Sequence, residues 1–398
     1  MQLGVMDLAQ DDHLMQFLIE YNFDDDGEYE QYLAQFCNIK YKLPILGIIA
    51  VELAENDLRQ LFEAETTRPV YSNAVITTQG KPLDADNEPR LTGKGIGIAI
   101  LDTGVAFVDD LTLPRNRITA FVDMVNNQNE PYDDNAHGCH VAGIAAGNGL
   151  RSDGRFAGLA VESDIIGIKV LDENGKGNIA DVLAGIEWMI KNKKKYNIRV
   201  ANLSIGIDVS DKGETAVSTS NNVVIQSDGK SGDLLVKAVE MAWDAGIVMC
   251  VAAGNNGPGA SSVTSPGTSK KVITVGACDD DAEGDMRLHF SGRGPTPDCV
   301  IKPDCLAPGS EIASCLSNSS ELSAKRISKF KRVGSHYVRM SGTSMSSPYV
   351  AGAIALLLQH KPYLTPDEVK LLVKNSCRTI NEPCNRQGWG IFDVKMFI

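Results

Sequence analysis

At 398 residues and a formal net charge of -13, the chain is long enough for one large core and a smaller second one. Its acidity argues against nucleic acid or an anionic membrane as the main partner, because both favour basic surfaces. No apolar run is long enough to span a bilayer, which argues against a membrane-embedded role.

The first dozen residues lack the basic start, apolar middle and small-residue cleavage site of a signal peptide, so a cytoplasmic location is expected, with release by a non-classical route left open. Nine cysteines, an odd number with no C-x-x-C spacing, point to reduced thiols rather than a disulfide framework.

In chain order, short apolar runs at 14–21, 39–43, 45–53 and 70–77 read as strands, and 28–36 and 55–64 as helices. That is a βαββαβ pattern, a small α+β unit of ferredoxin-like layout. Residues 78–90 are polar, hold two prolines and show no periodicity. The expected domains are therefore 1–80, a linker at 81–92, and 93–398.

Beyond the linker, runs at 95–101, 164–171, 200–205, 247–253 and 272–277 are apolar without alternation, as strands covered on both faces are. Helical segments at 139–146, 179–191 and 233–245 lie between them. The pattern predicts an α/β, doubly wound, mainly parallel sheet, with ligands bound at the carboxyl ends of the strands. Asp102, Ser204 and Asn255 all fall there. Residues 208–231, rich in Ser, Asn, Gly and Asp, read as a surface insertion, either a lid or, as expected here, a disordered loop.

Ser341-Gly342-Thr343-Ser344-Met345-Ser346-Ser347-Pro348 runs into an Ala/Leu-rich segment that reads as a buried helix, with Pro348 in its early turns. Ser344 thus sits at a helix entrance, where unpaired N–H groups and the dipole stabilise negative charge. It serves there as an N-cap or as a nucleophile. A nucleophilic serine needs a base and a group that orients the base. His137, in Asn135-Ala-His-Gly-Cys-His-Val-Ala-Gly143, is the candidate base, and Asp102, in Ile100-Leu-Asp-Thr-Gly104, the candidate orienter.

These three segments, in the order Asp, His, Ser, resemble the signature motifs of the subtilisin family of serine peptidases. The resemblance covers nearly everything after residue 90. It implies Ser344 as nucleophile, His137 as general base and then acid, Asp102 as the group fixing the imidazole, and Asn255 in Ala252-Ala-Gly-Asn-Asn-Gly257 as an oxyanion donor. It also implies a peptide groove between Ser204-Ile205-Gly206 and Gly175-Lys176-Gly177, where substrate adds as a strand, and a pocket walled by Ala253-Gly254 and floored by Thr264.

The N-terminal unit resembles in layout the family's propeptide, which assists folding, inhibits through the groove and is removed by the enzyme itself. Segments such as Phe290-Ser-Gly-Arg-Gly-Pro295 and Lys302-Pro-Asp-Cys-Leu-Ala-Pro-Gly309 resemble the AprX-like intracellular group of Gram-positive bacteria. The implied partners are a polypeptide substrate and the chain's own propeptide. The chemistry needs no cofactor; Asp110 matches a family ligand for structural calcium, but its companion loop near 147–157 matches poorly.

Some residues depart from the family pattern. Cys139 replaces the usual threonine beside the base, so inhibition by thiol reagents is expected. Thr264 stands where many relatives have glycine, predicting a shallower or more polar pocket, and Ile207 replaces a second glycine, predicting a narrowed groove. Asp133-Asp134 read as a solvated acidic turn or as an attraction for basic substrates. The resulting expectation is a self-processing serine endopeptidase acting through an acyl-enzyme, with a catalytically silent binding protein or a dedicated processing protease as alternatives.

Overall fold

The structure is a computed structural model that describes residues 15–20, 33–34, 37–43, 48–53, 70–72, 91–177, 179–209, 215–218, 234–280, 286–287, 290–317, 322 and 331–398. The chain divides into two compact units, 1–78 and 79–398.

In the first unit, β1 (Met15–Glu20), β2 (Asn38–Leu43), β3 (Ile48–Leu53) and β4 (Val70–Ser72) form one sheet in the order β2-β3-β1-β4. Every neighbouring pair is antiparallel. The two helices expected there fall almost wholly outside the described residues.

The second unit opens with β5 (Gly97–Asp102), β6 (Ile118–Asp123), α1 (His137–Ala146), β7 (Asp164–Lys169) and β8 (Lys176–Gly177). It continues through α2 (Ile179–Asn192), β9 (Ile198–Leu203), β10 (Gly206–Val209), β11 (Thr215–Ser218), α3 (Leu234–Asp244) and β12 (Val248–Ala252). Then come β13 (Ile273–Asp280), β14 (Met286–Arg287), β15 (Cys305–Pro308), β16 (Ile312–Cys315), β17 (Lys331–Val333) and β18 (Tyr337–Met340). After these come α4 (Thr343–His360), α5 (Pro366–Asn375), β19 (Cys377–Arg378) and β20 (Ile391–Phe392), with one-turn helices at Cys384–Gln387 and Val394–Phe397.

The central sheet runs β19-β20-β15-β13-β12-β9-β5-β7-β6. All neighbours along it are parallel except β19 with β20, and β14 adds antiparallel to β13. Its unbroken apolar strands are explained by cover on both faces. Asn202 on β9 accepts a hydrogen bond from Ser347 on α4, whereas Leu101, one residue out of phase on the paired strand β5, lies beside Gly185 of α2. Helix α4 is buried along most of its length, with α1 packed beside it.

The sheet order reverses between β5 and β9, since the strands after β5 lie to one side and β9, β12 and β13 to the other. A crevice at the carboxyl ends follows from such a switch point. Asp102 ends β5 and Ser204 follows β9, and the two strands pair at Leu101 and Leu203. The α/β part of the sequence expectation thus holds. Of the expected disordered insertion at 208–231, Asp208 and Val209 instead close β10 and Thr215–Ser218 forms β11, while the remainder lies outside the described residues.

Candidate active site

Asp102 is fully buried, and its Oδ1 accepts from Thr103 N at 2.7 Å and lies 2.7 Å from His137 Nδ1. Its Oδ2 has no hydrogen-bond partner among the described residues. A carboxylate only accepts, so Nδ1 carries the proton and Nε2 is left with the lone pair in the neutral ring. That is the tautomer in which an imidazole can take a proton from a neighbour.

The turn carrying Asp102 and the helix carrying His137 are joined through Asp133. Its Oδ1 accepts from Thr103 Oγ1, Asn135 N and Ala136 N, and its Oδ2 from Cys139 N, at 2.8 to 3.1 Å. This satisfies amides at the start of α1 that no helical carbonyl reaches. Burial pushes the Asp133 carboxyl up, against the pull of those donors. Thr103 Oγ1 in turn accepts from Gly138 N at 3.0 Å. A Cβ on Gly138 would lie 1.9 Å from Gly104 O, so only glycine allows the approach.

Lys169 is fully buried at the end of β7, in register with Asp102. Its three donors go to Thr103 O at 2.6 Å, Leu171 O at 2.7 Å and Asp134 Oδ1 at 2.8 Å, and the ammonium lies 5.0 Å from the Tyr132 ring centre. Asp133 and Asp134 are therefore not a solvated acidic turn. One is a buried cap and the other is paired to a buried lysine.

Ser344 is the second residue of α4, whose N-cap is Gly342 at φ 152°. The N-cap alternative for Ser344 is thereby removed, and it lies in the first turn, beside Ser204 just past the carboxyl end of β9. Pro348 lies inside the helix rather than in its opening turn. Ser344 Oγ donates to Ser204 O at 3.3 Å, a long and weak contact for a hydroxyl.

Asn255 Oδ1 accepts from Thr343 N at 2.9 Å and from Thr343 Oγ1 at 3.0 Å, and Thr343 Oγ1 accepts from Gly254 N at 3.2 Å. A backbone N–H can only donate, so it fixes which end of the amide is oxygen and turns Nδ2 away from Thr343 as a donor. Nδ2 lies 3.1 Å from where a Cβ would stand on Gly342, so a side chain there would press on it.

Thr264 brings the expected pocket residues together. Cβ atoms built on Gly254 and Gly206 would fall 2.5 Å and 2.8 Å from its Oγ1. That hydroxyl oxygen is buried without a hydrogen-bond partner among the described residues. Ala253 is fully buried, and its carbonyl accepts from Thr264 N at 3.0 Å. Ser204 and Ile205 are buried behind Gly206.

The edges expected to hold a peptide strand, Gly175-Lys176-Gly177 and the segment from Gly206, are joined instead by β11, in a three-stranded sheet of order β10-β11-β8. The expected narrowing by Ile207 concerns a side chain outside those described.

One other expectation is corrected. Cys139 is fully buried, its Sγ accepts from Ala106 N at 3.1 Å, and burial followed by the Asp133 charge holds its thiol well above the usual range. Such a thiol neither ionises nor meets reagents. Asp110, the expected calcium ligand, already accepts from Arg151 N at 3.0 Å on Oδ1 and from Tyr337 Oη at 2.7 Å on Oδ2. The buried Arg117 guanidinium donates to the carbonyls of Asp110 and Ala146 beside it. Calcium needs six to eight oxygens. Among the described residues there is no cluster of three or more acidic, His or Cys side chains that could hold a metal.

Sequence reasoning missed Lys169 and Thr343. A lysine closing the apolar run Ile165-Ile-Gly-Ile-Lys169 was the available signal, because a buried ammonium needs partners.

Residues 93–390 match the profile of the subtilase family. The chain is 42% identical over 353 residues to the serine protease AprX of Bacillus subtilis, covering 85% of this chain and 75% of that protein. It is 29% identical to a thermostable alkaline protease of Halalkalibacterium halodurans, over 85% of this chain and 80% of that one. Among solved structures, a cold adapted subtilisin-like serine proteinase aligns with a TM-score of 0.54 at 28% identity, covering 79% of this chain and 93% of that one. Sphericase aligns with a TM-score of 0.57 at 25% identity, over 76% and 92%.

Proposed function

The chain belongs to the subtilase family and is a serine peptidase, and from that premise we propose that Ser344, His137, Asp102 and Asn255 carry its chemistry. The observation that carries the assignment is the 2.7 Å contact between Asp102 Oδ1 and His137 Nδ1, which leaves Nε2 able to accept a proton. Ser344 Oγ attacks a peptide carbonyl as His137 takes its proton. The oxyanion that forms receives the Ser344 amide and Asn255 Nδ2. His137 then protonates the leaving amine, and water hydrolyses the acyl-enzyme by the reverse sequence.

Thr264 supports a selective enzyme. Its bulk between Gly206 and Gly254 shortens the pocket for the residue before the scissile bond, and its unpartnered hydroxyl favours a small or polar side chain over a large aromatic one. Cleavage profiling on a peptide library tests this, and a strong aromatic preference overturns it.

The N-terminal unit acts as a propeptide in this reading, with the antiparallel order β2-β3-β1-β4 as its support. The chain is then a zymogen that processes itself. No disulfide forms among the described residues, which favours action in a reducing compartment.

Purified full-length chain and its Ser344→Ala variant, incubated side by side, test the proposal. Shortening of the first but not the second is expected. If neither changes length and neither cleaves any peptide, the proposal fails. A serine-directed phosphonate separates this from a silent binding protein, which would not be labelled.

A further inference from the structure

We propose that β11, Thr215–Ser218, is an intramolecular occupant of the peptide groove that a substrate must displace. The proposal rests on the peptidase reading and on the groove lying between Gly175-Lys176-Gly177 and Ser204-Ile205-Gly206.

A strand has two hydrogen-bonding edges, and β11 uses both. On one side it pairs antiparallel with β10, Gly206 opposite Ser218, Ile207 opposite Val217, Asp208 opposite Ala216 and Val209 opposite Thr215. On the other it pairs antiparallel with β8, Val217 opposite Gly177 and Ser218 opposite Lys176. Val217 and Ser218 therefore bridge the groove from edge to edge. An added strand needs free N–H and C=O groups on the edge it joins. Here the facing edges of β8 and β10 are already paired to this chain.

The sequence suits the part. Thr-Ala-Val-Ser is small, uncharged and includes β-formers, and only Ser210-Asp-Lys-Gly-Glu214 separates it from β10. The occupant is thus tethered by a short connection to the edge it covers, which gives it a high effective concentration. A peptide gains access only in the fraction of molecules in which β11 has left, so the Michaelis constant rises by the inverse of that fraction.

The consequence is a selection by length and extension. A segment long enough to pair with both edges recovers the pairings that β11 gives up. A folded loop or a dipeptide does not.

Two variants test this with full-length chain, one carrying Val217→Pro and one with residues 211–231 replaced by a short Gly/Ser linker. Proline removes a strand N–H and its ring is not tolerated between two strands. The substrates are a peptide amide with four residues before the scissile bond and an ester of a single residue. In both variants the Michaelis constant for the peptide is expected to fall by about three-fold or more at unchanged kcat, as the accessible fraction rises. The single-residue ester, which reaches neither β8 nor β10, keeps its constants. An unchanged or higher Michaelis constant for the peptide in folded variants overturns the proposal while leaving the peptidase reading intact. If full-length chain and both variants turn over neither substrate, the peptidase reading itself fails.

Discussion

Pro348 stands four residues after Ser344 in α4, so the carbonyl of Ser344 meets no helical N–H and takes a hydrogen bond from Ser204 Oγ at 3.0 Å instead. The chain of donors extends inward. Ser347 Oγ donates to Asn202 Oδ1 at 2.6 Å, and Asn202 Nδ2 donates to Ser204 Oγ at 2.8 Å. A buried network therefore ties the carboxyl end of β9 to the opening turns of α4. Ser204→Ala leaves the Ser344 carbonyl and one Asn202 donor unpaired. The expected loss is about 1–3 kcal/mol, the cost of a buried unsatisfied group. Urea denaturation on a Ser344→Ala background, which prevents self-digestion, measures it.

Asn255 is held by its oxygen, which leaves its amide as the donor. Asn255→Ala should lower kcat by about 10²–10³ with the Michaelis constant little changed, a magnitude measured for the corresponding donor in a subtilisin and carried over to this relative. Steady-state kinetics on one peptide amide decide it. An equal rise in the Michaelis constant at constant kcat would place the residue in substrate binding instead.

Both oxygens of Asp110 are engaged by the chain's own donors, and Arg117 supplies a cation beside it. Burial, with Arg115 adding, pulls that guanidinium down to about 10, so it remains charged near neutrality. Chelation of calcium is expected to leave the melting temperature of the Ser344→Ala protein unchanged. A drop with chelator that Asp110→Asn abolishes would show that a metal does bind there.

His140 on α1 is fully buried, its Nε2–H set between the carbonyls of Ile312 at 3.0 Å and Val338 at 3.1 Å. Burial, with His137 adding, pulls its pKa down to about 3 from 6.5. Between those values the unfolded chain binds a proton that the folded one does not, so stability falls as pH falls through the window from about 6.5 towards about 3. The slope from this group reaches about 1.4 kcal/mol per pH unit. Denaturant midpoints at pH 7, 6, 5 and 4 should fall more steeply for Ser344→Ala protein than for the same protein carrying His140→Gln.

The parallel sheet was legible because strands covered on both faces cannot hide: their apolar runs do not alternate. The contact of Asp102 with His137 was legible because each sits beside a glycine-containing turn that lets main chain close in. What was not legible depended on partners far away in sequence. Asp133 looked like a surface turn until Thr103 and Cys139 were placed on its oxygens. The partner of Asp110, Tyr337, reaches it across 227 residues, which no local pattern announces. Thr215–Ser218 has too little periodicity to announce a strand, and only the two edges beside it make it one.

Gly138 rests on the carbonyl of Gly104 with no side chain between them, and Thr103 and Asp133 fasten the same joint from either side. The backbone separation of the Asp102 and His137 segments is therefore set by main chain meeting main chain. Warming must part that joint before it can draw the two segments away from each other. Heat inactivation then coincides with the melting of the α/β unit, and a preparation that keeps its fold keeps its dyad.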